Sequence, residues 1–248
     1  MDRRYWEKIA SSYNEEIFDV LQNDKKAIIR TAIREFASGS KTATDIGCAV
    51  GKWLPILSPA FKRVVAIDIS AKNLAIAEKT YPQLRNVKFL RVDMSASKPR
   101  LPECDFAICI NAILTGSLKK RTTFFQNLGR CLKKGGHIIL TVPSLESSFL
   151  TLIIGDRWKI DREILASKLS GKEAIRKWNN IIQGNSYIDN VPTKHYLREE
   201  LQLLLALAGF KMIKCRKIEY DWATEFVNPP SWLKEPRPWD WFCVAKKL

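Results

Sequence analysis

The sequence predicts an α/β fold with a doubly wound, mostly parallel sheet, and three observations predict it. Short apolar runs rich in β-branched residues alternate with helix-patterned segments along most of the 248 residues. Several of these runs are apolar on consecutive positions, as strands covered by helices on both faces must be. One after another, they also end in an acidic or amide side chain, at the strand ends where open parallel sheets bind ligands.

Taken in order, two helical stretches over about 3–21 and 25–37 come first, the second closed by Ser38-Gly39-Ser40. Strands follow at 42–46, 64–69, 87–92, 106–110 and 137–142, with helices at 71–80 and 122–132 between them. Gly135-Gly136 reads as the stop of the second of these helices. From 144 to 196 the alternation breaks into helical stretches at 161–169 and 172–182, with too few apolar residues for a separate core. This segment reads as a helical cap inserted between core elements. A helix at 197–208 and strands at 211–219 and 241–246 complete the pattern. The loop between those strands holds Pro229-Pro230 and Pro236 and is too proline-rich for a helix, so the two strands are expected to pair antiparallel at the sheet edge. The chain is expected to be a single domain over 1–248. Its parts are N-terminal helices (1–40), a core (41–143), the cap (144–196), and a last helix with edge strands (197–248).

Hydrophobic residues at 46% and charged residues at 27% are ordinary for a globular chain and exclude a disordered one. The longest apolar stretch, near 149–154, is far short of a membrane span, and the first residues lack a secretory h-region. A cytoplasmic location without a membrane span is the expectation. Six cysteines are scattered with no C-x-x-C pair, which predicts a reducing compartment and no metal site. The net charge of +15 admits two readings. It marks a partner that bears phosphates, or it is the sum of short Lys and Arg pairs on an ordinary solvated surface.

The most informative segment is Asp45-Ile-Gly47-Cys48-Ala49-Val-Gly51, where the first strand turns into a helix. Glycines here let the backbone turn tightly beside a nucleotide-like ligand. The spacing is D-x-G-x-x-x-G rather than G-x-G-x-x-G, and a carboxylate before the turn repels a pyrophosphate but suits a ligand bearing an ammonium group. The second strand ends in Asp68, about twenty residues past the turn, where such folds place a carboxylate on ribose hydroxyls. The third ends in Asp93-Met94 and the fourth in Asn111. Each of these residues would also serve as an ordinary helix cap, but four caps at these spacings favour a ligand.

These motifs resemble the class I S-adenosylmethionine-dependent methyltransferases, especially the small-molecule type with a YW-x-x-x-A-x-x-Y helix near the N-terminus, here Tyr5 to Tyr13. The resemblance runs through DIGCAVG, AIDIS, RVDM, Leu132-Lys-Lys-Gly-Gly-His-Ile-Ile-Leu, and His195-Tyr-Leu-Arg-Glu-Glu-Leu followed by Ala208-Gly-Phe210. It implies a Rossmann-like, seven-stranded sheet of order 3-2-1-4-5-7-6 with strand 7 antiparallel. It also implies S-adenosyl-L-methionine as cofactor and S-adenosyl-L-homocysteine as product. Gly47, Cys48 and Gly51 would lie by the methionine moiety, with Asp45 near its ammonium. Asp68 would take the ribose hydroxyls. Asp93, Met94 and Ile69 would surround the adenine, while Asn111 and Tyr13 would line and close the methionine side. Ala49 stands where many members of the family carry another glycine.

Methyl transfer is an in-line displacement, so alignment and water exclusion carry much of it. A base helps with a hydroxyl or protonated amine acceptor. Only two histidines are present. His137 opens a scaffold strand and reads as structural. His195, between cap and last helix, is either the base or a helix-start residue facing solvent. Trp158, Trp178, Tyr187, Tyr196 and Trp222 either line an acceptor pocket or fasten the long insertion to the body. The expected acceptor is a small, apolar or aromatic metabolite, methylated on O, N or C by a monomer or homodimer. The alternatives are an RNA substrate (tRNA or rRNA) and a non-catalytic relative that binds the cofactor or a partner. Asn228-Pro229-Pro230-Ser231-Trp232 resembles the NPP[YF] loop of base methyltransferases, but that loop belongs after the fourth strand, where Asn111-Ala-Ile-Leu stands.

Overall fold

A computed structural model describes residues 3–13, 17–158, 160, 171–188 and 191–248. At the N-terminal end lie α1 (Arg3–Ile9), a single 3₁₀ turn (Ala10–Ser12), α2 (Val20–Asn23) and α3 (Ile28–Phe36). The continuous helix expected over 3–21 is therefore broken. One reason lies in Asp19, which caps α2 instead of continuing a helix, while Asp24 holds the first amides of α3. The Asp19 carboxylate accepts from the Gln22 amide at 3.0 Å, and the buried Asp24 accepts from the amides of Ile28 (2.6 Å) and Ile29 (3.1 Å).

The alternating core follows as β1 (Ser38–Ile46), α4 (Leu54–Ala60), β2 (Phe61–Asp68), α5 (Ala71–Thr80), β3 (Val87–Arg91), β4 (Cys104–Ile110), α6 (Leu118–Cys131) and β5 (Leu132–Pro143). Ser38-Gly39-Ser40 belongs to β1 rather than ending a helix. Gly135-Gly136 lies inside β5, where the register with β4 shifts between Cys104 and Phe106, so α6 ends at Cys131 without them. Ser70 and Ser117 cap α5 and α6, accepting from the amides of Asn73 at 3.1 Å and Lys120 at 3.5 Å.

Beyond β5 come α7 (Leu145–Arg157), α8 (Gly171–Ile182), and a hairpin of β6 (Asn185–Ile188) with β7 (Val191–Lys194). The insertion is thus not purely helical, because its last part pairs as strands. The helix expected over 161–169 lies outside the described residues. The chain closes with α9 (Arg198–Leu207), β8 (Phe210–Glu219) and β9 (Trp239–Lys247).

The seven-stranded sheet has the order β3-β2-β1-β4-β5-β9-β8, and β9 runs antiparallel to both neighbours. Allowing for the extra hairpin in the count, this is the order implied by the family resemblance. Period-two alternation along β4 sends Phe106 and Ile108 into one apolar layer with Ile29, Ile33 and Leu57. Ala107 and Cys109 enter the opposite layer with Leu128, Leu201 and Leu205. Burial on both faces holds the strand ends rigidly in line, which is what the site requires. Among the described residues, no helix is long and apolar enough to cross a membrane, and no cluster of His, Cys, Asp or Glu could hold a metal ion.

Candidate functional site

A cleft of about 740 Å³ lies across the carboxyl ends of β1, β2, β3 and β4, with α1 and the following turn over its mouth. It is within the range of small-molecule and cofactor pockets. Each strand contributes the residues at its end: Gly47 after β1, Asp68 and Ile69 at β2, Asp93 and Met94 after β3, and Asn111 after β4. Tyr13 reaches it from the N-terminal segment. Asp45, Cys48 and Gly51, selected from sequence with these, do not line the cleft.

Local backbone geometry explains the β1 turn. The amides of Gly47 and Cys48 both donate to the Ile67 carbonyl, at 2.8 and 2.9 Å, which folds the turn against the end of β2. Gly47 has φ +76°, and a Cβ there would collide with that of Ala112. Gly51 has φ +82°, and its Cβ would lie 2.8 Å from Leu54 and 3.0 Å from Ala77, so this glycine serves the approach of α4 and α5. Ala49 adopts φ +47° without being a glycine.

Asp68 is held by two backbone donors. Oδ2 accepts from the Ala49 amide at 2.9 Å, and Oδ1 from the Ser70 amide at 2.7 Å. Burial raises its carboxyl above the usual range, while these amides and Asn73 pull it back. Asp45 is more extreme: Oδ2 is buried with no hydrogen-bond partner. Burial first, and the nearby Asp68 charge second, push its carboxyl up to about 8. Burial likewise raises the Tyr13 hydroxyl and the Cys48 thiol, with the fields of Asp45 and Asp68 adding to both. Asp93 turns Oδ1 to Ser95, accepting from its amide at 2.8 Å and its hydroxyl at 2.6 Å. Glu7 fastens α1 to the start of α5 beside the cleft, accepting from the Ala71 amide at 2.9 Å.

The residues selected for the acceptor lie elsewhere. His195 is buried and does not line the cleft. Its Nδ1 sits 3.0 Å from the Thr193 carbonyl, and burial, aided by Lys194, pushes its imidazole down to about 4. Tyr196 is fully buried and donates to the Ile113 carbonyl at 3.0 Å. Trp222 donates from Nε1 to the Pro236 carbonyl at 3.0 Å and stacks on Phe226. Trp158 packs on Trp232, and the Tyr187 hydroxyl accepts from Asn180 at 2.9 Å. None of these four aromatics lines the cleft. The side chain of Trp178 lies outside the described residues.

The cap braces one wall of the cleft through its hairpin instead. Thr193 bridges to Thr115, the Lys194 amide donates to the Leu114 carbonyl at 3.0 Å, and Asn185 Nδ2 donates to the Gly116 carbonyl at 3.3 Å. Arg121 adds a bond to the Thr115 carbonyl at 3.0 Å. Leu114 and Thr115, so braced, line the cleft with Phe124 and Trp6. Sequence reasoning missed Leu114, Thr115 and Phe124, because nothing local marks a loop that is held by a hairpin some seventy residues away.

Residues 43–136 match the family profile of a methyltransferase domain. Over 111 residues the chain is 32% identical to a probable S-adenosylmethionine-dependent methyltransferase of Saccharomyces cerevisiae. That match covers 42% of this chain and spans 36% of the yeast protein's length. Among solved structures, the N-methyltransferase NodS of Bradyrhizobium japonicum, in complex with S-adenosyl-L-homocysteine, superposes with a TM-score of 0.63 at 12% identity, covering 99% of this chain and 97% of that one. A magnesium protoporphyrin IX methyltransferase of Synechocystis, also with S-adenosyl-L-homocysteine bound, gives 0.58 at 13% identity, covering 99% and 98%. A methyltransferase of Methanosarcina mazei gives 0.59 at 17%, covering 88% and 97%. At these identities the structural likeness is one of fold. Residues 43–136 are thus similar to a methyltransferase domain, and the seven-stranded sheet has the fold of the solved S-adenosylmethionine-dependent methyltransferases.

Proposed function

We propose that this chain transfers a methyl group from S-adenosylmethionine to a small acceptor with an apolar or aromatic body. The observation that carries the proposal is Asp45, a buried carboxyl with an unpartnered oxygen beside the Gly47 turn, within the segment that matches a methyltransferase domain. Such an atom is costly to leave unpaired; because Asp45 does not line the cleft, a water bridging it to a cationic ammonium would complete it. When bound, the cofactor supplies a methyl group on a positively charged sulfur that is already reactive toward displacement.

The chain's own residues bind, orient and exclude water. Asp68, positioned by two amides, keeps lone pairs for the ribose hydroxyls. Asp93, Met94 and Ile69 surround the adenine, and Gly47 with Asn111 forms the floor beneath the methionine part. Tyr13 and Trp6 cover the mouth. Leu114, Thr115 and Phe124 form the apolar wall for the acceptor. His195 acts in this scheme as a support of the hairpin through Thr193, and alignment carries the transfer.

Calorimetry with S-adenosyl-L-homocysteine tests the proposal. Asp68→Ala removes a charged acceptor of two hydroxyls and should weaken binding by on the order of 2–4 kcal/mol. Binding of NADH with no binding of S-adenosyl-L-homocysteine would overturn it.

A further inference from the structure

We propose that the methyl acceptor carries an oxyanion, a carboxylate or phosphate, held by the cations at the mouth of the cleft. This rests on the reading of the cleft as the cofactor and acceptor site. Arg3, Arg4, Lys8, Lys72 and Lys120 all line that one cleft. The acids that line it are committed elsewhere. Glu7 takes the Ala71 amide and pairs with Arg3 at 3.8 Å. Asp68 takes the amides of Ala49 and Ser70, and Asp93 takes Ser95. Arg4, Lys8 and Lys120 hold no salt bridge among the described residues.

Local chemistry does not explain where these charges stand. Lys120 lies in the first turn of α6 with Lys119 and Arg121, and that turn contains no acid. Cations oppose the helix macrodipole at that end, where Asp or Glu would be favoured. The arrangement weakens the helix and concentrates positive potential beside Leu114, Thr115 and Phe124, the apolar wall of the acceptor side. A cleft with low-dielectric walls focuses such a field and draws in anions. An acceptor with an apolar body and an anionic end fits both features.

The test uses the full chain saturated with S-adenosyl-L-homocysteine, so that the cofactor's own carboxylate is already in place. Phenyl phosphate, benzoate and phenol are titrated in turn by calorimetry at physiological salt. At least one of the two anions should bind about tenfold or more tighter than phenol, as one charge-assisted hydrogen bond provides. Lys120→Glu and Arg4→Glu should bring that anion to the level of phenol, while Lys120→Arg retains the preference. Unchanged affinity for S-adenosyl-L-homocysteine in these variants shows that fold and cofactor site are intact. Anions binding no tighter than phenol, or a preference indifferent to both charge reversals, would overturn the proposal. Displacement of phenyl phosphate by a short single-stranded RNA of higher affinity would replace the small acceptor with RNA. If S-adenosyl-L-homocysteine itself fails to bind, the cofactor reading falls first and the acceptor proposal with it.

Discussion

Asn111 Nδ2 donates to Asp240 Oδ2 at 2.6 Å, joining the end of β4 to the start of β9. The same asparagine accepts from the Thr141 hydroxyl at 2.9 Å, and its amide lies 3.1 Å from both the Thr141 carbonyl and hydroxyl oxygens. These bonds hold Asn111 at φ +47°, on the floor of the cleft. Burial raises the Asp240 carboxyl, and the bond from Asn111 opposes that rise.

Removing the carboxylate should therefore loosen the floor. Asp240→Ala strands the Asn111 amide and should cost about 1–3 kcal/mol of stability, with a parallel loss of affinity for S-adenosyl-L-homocysteine. Asp240→Asn retains an acceptor and should stay close to the parent protein. Urea denaturation and calorimetry measure the two effects. Equal losses in both variants would show that charge, not the hydrogen bond, is what matters.

Asp45 gives a pH signature. Its folded carboxyl titrates at about 8, against an ordinary value of 3.8, so between these values the folded state holds a proton that the unfolded state has released. Its contribution to stability is present below the lower value and falls as pH rises through the window, until it is exhausted above about 8. Asp45→Asn should flatten that part of the profile. A bound ammonium favours the ionised carboxylate, so binding S-adenosyl-L-homocysteine at pH 7 should release close to one proton. Calorimetry in two buffers of different ionisation enthalpy counts it, and a count of zero would separate Asp45 from the ligand.

At Ala49 the left-handed backbone is occupied by a residue with a Cβ. That conformation costs on the order of 1 kcal/mol. Ala49→Gly relieves it, with part of the gain lost to the greater entropy of the unfolded chain. The melting temperature should rise by about 1–3 °C, with the Ala49 amide still donating to Asp68. A lower melting temperature would mean that the alanine methyl packs better than its backbone strain suggests.

His195 separates a structural role from a chemical one. Replacing it with Ala should reduce turnover by less than about tenfold, against the 10²–10⁴ usual for a general base. Its imidazole titrates at about 4 when folded against 6.5 ordinarily, so the unfolded state binds the extra proton between those values. The neutral ring's contribution is present above 6.5 and is lost as pH falls through about 4. Urea midpoints measured across that range should show a shallower acid loss in His195→Gln. A fall in turnover of 10² or more with the cofactor affinity intact would return His195 to the chemistry.

Much of the scaffold was legible because its cause is local. Strands buried on both faces must be apolar at consecutive positions, and a ligand at their carboxyl ends asks for polar side chains at the last position. Asp68, Asp93 and Asn111 are therefore visible in sequence as ends of runs, and Gly47 as a turn that admits no side chain. Where the sequence misled, two local explanations competed. Gly135-Gly136 suits a helix stop as well as an irregular strand, and pairing with β4 selected the strand. Asp19 suits the interior of the helix expected over 3–21 poorly, yet the apolar pattern around it favours one; in the fold it caps α2.

By itself, then, the sequence determined the alternation of strands and helices, the side chains at the strand ends and the family to which they are similar. Those follow from propensity, periodicity and backbone sterics within a few residues. Tertiary structure alone decided that Asp45 is buried without a partner, that Asn111 is tied to Asp240, and that α1 and α6 bring Arg4 and Lys120 to one cleft. It also decided that the cap braces Leu114, Thr115 and Gly116 through β6 and β7 while Trp158 and Trp222 pack elsewhere. Burial and long-range pairing arise from how layers close over one another, and no short stretch of chain encodes that closure.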